Sequence, residues 1–352
     1  MTAIVFYISG HGFGHAARAM ALIDALASRQ PGLDIVVRTQ APRWLFERIE
    51  RPGVDVLPCE TDTGVAQHDA VSLDEDETAR CAAEFYRTFE RRVMQEAQYV
   101  RGRNPALVVA DVPPIACAAA HAAGVPSVVV ANFTWDWIYS YYPQFEAAAP
   151  GVIGTIAQAY ASTALALRLP LHGGFESMAS SVRDVPFIAR RSVRDPVDTR
   201  RLLGVDARRP LVLSSFGGYG VRLPYERVAA SGLTVVTPER PLPPGLRHED
   251  LVAAADVVVS KPGYGIVSEC VAHRTALLYT SRGRFAEYDV MVAELPQMLR
   301  CRHVALKDLL AGHWRESIEA LLSAPEPREH PRVDGAAVVA EKILELATSS
   351  RR

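Results

Sequence analysis

The stretch Ala3-Ile4-Val5-Phe6-Tyr7-Ile8-Ser9-Gly10-His11-Gly12-Phe13-Gly14-His15-Ala16 decides how the rest of the chain is read. An apolar, β-branched run empties into a turn with glycine at alternate positions, and the helical pattern of residues 16–27 follows at once. Glycine lets the backbone turn sharply and approach a ligand, while the first amides of the helix point outward with partial positive charge. In an α/β protein this junction is where ligands bind and chemistry is done. Two histidines flank it. The helix dipole disfavours imidazolium, and a neutral imidazole can accept a proton, so His15 is the candidate general base. His11 either touches a ligand (acceptor or donor phosphate) or fills the turn. A dinucleotide fingerprint needs glycine where His15 stands, and only Asp34 answers for its later acidic residue, so NAD binding is not expected.

Outward from this turn, short strand-like runs at 4–8, 33–38, 107–110 and 127–130 alternate with helical stretches, which is βαβ punctuation. Residues 74–101 carry Phe85, Phe89, Val93 and Ala97 at helical intervals and predict one long amphipathic helix. Its start, Asp74-Glu75-Asp76-Glu77, matches the helix dipole and lacks the further partners a metal site needs. Between 190 and 209 the composition shifts to Arg, Asp and Pro, as in an exposed linker, and the strand pattern restarts at 211–214, 233–236, 256–259 and 276–279. The predicted organisation is an N-terminal domain over 1–190, a linker over 191–208, a second domain over 209–330, and a C-terminal helix over 331–352 that folds back on the first domain.

The second domain repeats the first motif. Strand 256–259 runs into Ser260-Lys261-Pro262-Gly263-Tyr264-Gly265, and then a helix carries Glu269. Helix amides at Gly263, Tyr264 and Gly265, with Lys261 beside them, suit a diphosphate, and Glu269 about one turn inside can accept two ribose hydroxyls. Phe216, Gly217 and Gly218, after strand 211–214, can close over the same phosphates, as can Gly12 and Gly14 from the first domain. Arg284 is a candidate phosphate partner and Glu287 a candidate for sugar hydroxyls. Asp111, just past a strand, either orients His15 or caps the following turn. Phe133, Trp135, Trp137, Tyr139, Tyr141 and Tyr142 form either an acceptor platform or a core stripe, with Phe133, Trp135 and Asp136 as the acceptor-binding candidates. Asn132-Phe133-Thr134 matches a glycosylation sequon by chance.

Bulk composition narrows the class. With 352 residues, 49% hydrophobic, 22% charged and a formal charge of −2, the chain reads as a soluble two-domain protein without a general attraction for nucleic acid or anionic lipid. Its five cysteines are scattered and form no C-x-x-C pair, so neither a disulfide framework nor a zinc cluster is expected. The longest uncharged stretch, 112–131, is broken by prolines, and no basic leader precedes the first strand. A cytoplasmic location and no integral membrane association are expected.

Taken together, the ordered set Ser9–His15, Ala110-Asp111-Val112-Pro113, Asn132–Asp136, Phe216-Gly217-Gly218, Lys261–Gly265 with Ser268-Glu269, and Gly312-His313-Trp314 resembles the GT-B glycosyltransferases. It is most similar to the glycosyltransferase-like N-terminal domain of plant L-arabinokinases and its stand-alone bacterial relatives. The glycine-histidine turn also resembles that of the glycosyltransferase that adds N-acetylglucosamine in peptidoglycan lipid synthesis, where a histidine stands at the position of His15. The resemblance implies an α/β, GT-B fold with two facing Rossmann-like domains and a C-terminal helix crossing back. It further implies acceptor on the first domain, nucleotide-sugar donor on the second, and Glu269 as ribose ligand. With the motifs, it predicts an inverting, metal-independent transfer from a nucleotide diphosphate sugar, UDP-sugar favoured, to a hydroxyl of a small-molecule acceptor. The nucleotide sugar is a co-substrate and no cofactor is expected. No glycine-serine-rich kinase loop precedes Arg352, so arabinose phosphorylation is not expected. The alternatives are a nucleotide-sugar epimerase or hydrolase, and a non-catalytic nucleotide-sugar binding module.

Overall fold

In the computed structural model, which describes residues 2–49, 52–206, 208–218, 220–238 and 242–349, the apolar runs form two parallel sheets. The strands are β1 (Ala3–Ile8), β2 (Asp34–Thr39), β3 (Val54–Pro58), a small hairpin of β4 (Ala66–Gln67) and β5 (Leu73–Asp74), β6 (Leu107–Asp111), β7 (Ser127–Phe133), β8 (Leu165–Gly173) and β9 (Val182–Asp184). The first sheet has the order β3-β2-β1-β6-β7-β8-β9. The second comprises β10 (Leu211–Ser214), β11 (Thr234–Val236), β12 (Val257–Ser260), β13 (Ala276–Tyr279) and β14 (Cys301–His303), in the order β11-β10-β12-β13-β14. β6, β7, β10, β12 and β13 are buried along their whole length, as strands covered by helices on both faces must be, which explains their continuous apolar sequences.

Strand order reverses between β1 and β6 in one sheet and between β10 and β12 in the other. The loops leaving such neighbours diverge to opposite faces and open a crevice at the carboxyl ends. Register fixes what lines it. Ile8 pairs with Asp111, so Asp111 sits beside the Ser9–Gly12 turn, and Ser214 pairs with Val259, so loops 215–218 and 261–263 emerge side by side.

Two local expectations change. The long helix predicted over 74–101 is two helices, Glu75–Arg87 and Phe89–Arg103. At Thr88 (φ −112°, ψ 14°) the amide and the hydroxyl both donate to Phe85 O, a local side-chain alternative that closes the first helix. The bend gathers Phe85, Tyr86 and Phe89, whose ring centroids lie 4.9–6.3 Å apart. Asp74 caps the first of these helices by accepting from the Glu77 amide at 2.8 Å. The stretch predicted as an exposed linker contains the helix Pro196–Leu202, with Asp195 as cap and Thr199 buried. Its Asp-Pro sequence is as much a helix start as a linker signal.

The last helix, Gly335–Ser349, lies against the helix Phe13–Arg29 through Val339, Ala340, Ile343 and Ala347. It is anchored where Gly335 N donates to Phe187 O at 2.9 Å and Phe187 N donates to Arg332 O at 3.1 Å. Among the described residues no helix is long and apolar enough to cross a membrane, and all five cysteines are free.

A Cβ at Gly335 would stand 2.2 Å from Pro186 O, a backbone atom. Gly335→Ala is expected to destabilise the chain by about 1–3 kcal/mol. Gly154→Ala, at an exposed position of the helix Val152–Ala161 with nothing within 4 Å of the added methyl, is expected to stabilise it by about 0.5–1 kcal/mol. Urea unfolding of the two variants checks both signs.

Candidate functional site

The carboxyl ends of the two sheets face each other across a cleft of about 720 Å³. Two helices, Phe13–Arg29 and Tyr264–His273, aim their N-termini into it and touch through glycine, since a Cβ on Gly265 would lie 3.3 Å from Gly14 Cα. Gly12 leads the first helix in with φ +72°. Phe13 packs on Gly218, where a Cβ would come within 2.5 Å of its ring, so the loop after β10 is held against the first domain. The unpaired amides of both helices and of the Gly217-Gly218 turn therefore converge on one volume. Each helix N-terminus favours a bound anion by typically 0.3–1 kcal/mol, and more where water is excluded.

The wall contributed by the first sheet is a chain of buried charges. His15 Nδ1 is 2.8 Å from Asp111 Oδ1. Arg18, one turn along the helix, donates through Nε to Asp111 Oδ2 at 2.8 Å, through Nη2 to Oδ1, and through Nη1 to Asn132 Oδ1 at 2.8 Å. Asn132 Nδ2 donates to Glu287 Oε1 at 2.8 Å, which crosses to the second domain. Burial alone would raise the Asp111 pKa, but the Arg18 guanidinium and the His15 ring hold it below the ordinary aspartate value. The carboxylate is then an acceptor only, so His15 Nδ1 carries a proton, and in the neutral ring Nε2 is the acceptor. Arg18 Nη2, 3.2 Å from Nδ1, is also a donor and so makes no hydrogen bond to that protonated nitrogen. Tyr264 supports the arrangement from the other domain, with its ring 4.9 Å from the Arg18 guanidinium and its hydroxyl accepting from Ile188 N at 3.0 Å.

The second domain presents a matching cluster. Arg190 Nε donates to Glu269 Oε1 at 2.6 Å, His248 Nδ1 lies 3.0 Å from Oε2, and His248 Nε2 lies 3.0 Å from Ser215 Oγ. Glu269 is only 2% exposed. Burial opposes its charge, yet Arg190 and His248 bring its pKa down to about 2. The carboxylate keeps lone pairs beyond those two contacts and lines the cleft, so it can still accept hydroxyls from a ligand. Arg190 and His248 carry no local sequence signal, because Arg190 falls at the edge of a stretch rich in surface-type residues and His248 opens the short polar-ended helix His248–Ala254.

The cleft gathers His11, Gly12, Gly14, His15, Phe133, Phe216, Gly217, Gly218, Lys261, Gly263, Tyr264, Gly265, Glu269 and Glu287. Four candidates do not line it: Asp111 lies buried behind His15, and Arg284, Trp135 and Asp136 lie elsewhere. Arg284 is more than half exposed and forms a two-pronged pair with Glu75 at 2.9 and 2.5 Å, so the phosphate expectation for it is corrected. Gly283, at φ +83°, turns the chain between it and Arg282, which is the arginine that enters the cleft, 3.9 Å over the Phe285 ring. Trp135 is fully buried and donates its indole N–H to Asp62 at 2.9 Å, while Asp136 accepts from Ser177 at 3.0 Å. Neither lines the cleft, because the helix Trp135–Ser140 turns its rings inward, Trp135 stacking on Tyr139 and Tyr139 on Phe145. Of the acceptor-binding candidates only Phe133 reaches the cleft, edge-on to His15. Asn132, wholly buried and doubly bonded, is no glycosylation acceptor.

His11 Nδ1 accepts from the Val65 amide at 3.3 Å and its ring stacks on Phe285. Burial, with Arg282, His15 and Lys261 nearby, holds its pKa well below the ordinary histidine value, so it is neutral. Lys261 Nζ donates to Gln67 Oε1 at 3.3 Å. Burial and Arg282 push the Lys261 pKa down to about 7. Among the described residues no three His, Cys, Asp or Glu side chains form a metal-ligand cluster.

No family model matches the chain. It is 29% identical over 364 residues to an L-arabinokinase of Arabidopsis thaliana, covering 97% of this chain but 34% of that protein, so it spans about a third of that relative's length. It is 27% identical over 302 residues to a UDP-N-acetylglucosamine–N-acetylmuramyl-(pentapeptide) pyrophosphoryl-undecaprenol N-acetylglucosamine transferase of Clavibacter michiganensis, covering 78% of this chain and 76% of that one. Among solved structures it resembles CalG4, the calicheamicin glycosyltransferase, with a TM-score of 0.64, 17% identity and coverage of 99% and 98%. The chain has the GT-B fold, as its motifs suggested.

The Lys261 amine gives a pH signature. As pH rises from about 7 toward the ordinary lysine value of 10.5, the folded chain loses this proton before the unfolded chain does. The unfolded state then binds more protons, and stability contributed at this site increases with pH. The melting temperature of the wild type relative to Lys261→Met is expected to climb between pH 7 and 10. A pH-independent difference would show that the amine is not held near neutrality.

Proposed function

We propose that the chain is an inverting, metal-independent glycosyltransferase that moves a sugar from a nucleotide diphosphate donor, UDP-sugar favoured, to a hydroxyl of a small-molecule acceptor in the cytoplasm. Residues 1–190 act as the acceptor side, 209–330 as the donor side, and the last helix ties them together. The observation that carries the reading is His15: its Nδ1 is fixed by Asp111, which leaves Nε2 as the ring nitrogen for a substrate, and the convergent helix N-termini are in the same cleft.

In this mechanism the donor diphosphate rests on the amides of Gly263, Tyr264 and Gly265 and of Gly217 and Gly218, with its ribose hydroxyls on Glu269. The acceptor hydroxyl donates to His15 Nε2. As its oxygen forms a bond to the anomeric carbon, the proton passes to Nε2, and the bond from that carbon to the phosphate oxygen breaks with its electron pair leaving on the diphosphate. The base belongs to one domain and the leaving group to the other, which suits attack opposite the departing group and inversion. Asp111 stabilises the imidazolium as it forms. Charge growing on the diphosphate is met by prealigned amides at two helix N-termini, an arrangement that supplies locally what a divalent cation would otherwise supply. The transferase of Clavibacter michiganensis uses a UDP-sugar by its name, which favours UDP here.

Thermal unfolding in UDP, GDP, dTDP, ADP and CDP, with NAD as control, tests the donor. A ligand at 100 times its Kd adds about 2.7 kcal/mol of stability. One nucleoside diphosphate, UDP first, is expected to raise the melting temperature selectively, and a response to NAD alone would overturn the reading. With a matched donor and acceptor, His15→Ala is expected to lower kcat by about 10²-fold or more while nucleotide binding stays within about threefold. Turnover kept within about threefold of wild type would remove His15 from the role of base. Donor consumption that needs no acceptor would point instead to an epimerase or hydrolase.

A further inference from the structure

The cleft wall beside His15 holds more positive charge than the residues around it neutralise. Arg18 is matched by Asp111, and Arg282 by Glu287 at 3.3 Å. Lys261 is matched by neither, and its hydrogen bond goes to a neutral amide, Gln67 Oε1. The acidic groups nearest to Lys261 are engaged elsewhere. Glu287 is bound to Asn132 and Arg282, and Asp69 accepts from the Val71 and Ser72 amides and the Ser72 hydroxyl. Arg282, with its side chain 7% exposed, also has a buried Nε without a hydrogen-bond partner. Desolvation of the half-buried Lys261 amine opposes its charge and no carboxylate offsets this, so an anionic ligand placed there would favour the protonated amine.

The location separates this charge from the diphosphate site. Lys261 stands just before the helix Tyr264–His273, yet its amine reaches across the domain boundary to Gln67 on β4, and His11 lies beside that same amide. The basic group is thus drawn toward the wall of His11 and His15, where sugar and acceptor must meet, and away from the amides at the helix start. One excess positive charge flanked by the neutral amide of Gln67 suits a monoanion with two acceptor oxygens.

We propose that Lys261, with Arg282 and Gln67, forms a subsite for a carboxylate on the reacting sugar, so that the donor or acceptor is a uronic acid. This rests on the transferase reading above. Full-length protein is titrated with UDP, UDP-glucose, UDP-glucuronate, and free glucuronate in the presence of UDP, using wild type, Lys261→Met and Lys261→Arg. Wild type is expected to bind UDP-glucuronate at least tenfold tighter than UDP-glucose. Lys261→Met should abolish that preference while UDP affinity stays within about threefold, and Lys261→Arg should keep part of it. A gain confined to free glucuronate would put the carboxylate on the acceptor. Equal binding of glucuronate and glucose forms by wild type, with no binding of free glucuronate, would overturn the subsite and leave the transferase reading standing. So would an equal loss of UDP and UDP-glucuronate in Lys261→Met, since the amine would then serve the diphosphate. No response to UDP in any form would overturn the UDP-donor reading itself, and the subsite with it.

Discussion

Two helices that point their positive ends at each other do not approach without cause. Half a charge at each N-terminus, about 5 Å apart at an effective dielectric of about 20, repels by on the order of 1 kcal/mol. In this chain the approach is possible because Gly14 and Gly265 have no side chains to keep the helices apart, and because Phe13 fills the space over Gly218. The surrounding core meets the cost, through buried β1, β6 and β12 behind the turns and the Tyr264 ring under Arg18. Everything proposed for the cleft depends on this contact. An anion placed among the amides turns the repulsion between the domains into a shared attraction, so the empty protein is electrostatically prepared for a phosphate-bearing ligand.

The same logic recurs on both walls. In the first domain Asp111 stands between His15 and Arg18, and in the second Glu269 stands between His248 and Arg190. In each, a buried carboxylate is kept ionised by an arginine and fixes the ring of a histidine at the cleft. Breaking a buried pair by removing one partner typically costs 3–5 kcal/mol, because the other charge is left without compensation. These triplets are therefore part of the stability of the fold as well as of its chemistry. They differ in origin. Asp111 ends a strand, so sheet register positions it, whereas Glu269 lies inside a helix and is positioned by the pitch of that helix from Gly263.

Much of this was legible in the sequence because it is local. A strand, a glycine turn and a helix start within fourteen residues define the first half of the site, and the second half repeats the pattern. The pairing of His15 with Asp111 remained one of two readings, since strand register is a property of the sheet. Arg18, Arg190 and His248 were invisible for the same reason: their importance comes from what lies opposite, not from their neighbours in sequence. The exchange of Arg284 for Arg282 is instructive. Which of two arginines separated by one glycine faces inward is decided by Glu75, some two hundred residues away, and by the ring of Phe285. Of the aromatic run only Phe133 lines the cleft, because a helix start at Trp135 sends most of the later rings into the core.

The last helix has a bearing on how the protein comes into being. Its Val339, Ala340, Ile343 and Ala347 cover the apolar face of the helix that carries His15, in a common core with Leu22, Ile23 and Leu26. During synthesis that face has no cover until residues 335–349 leave the ribosome, more than three hundred residues after the first helix has been made. The first domain is thus completed only after the second has been translated, and a nascent chain interrupted before residue 335 exposes the oily side of the helix on which the proposed base stands.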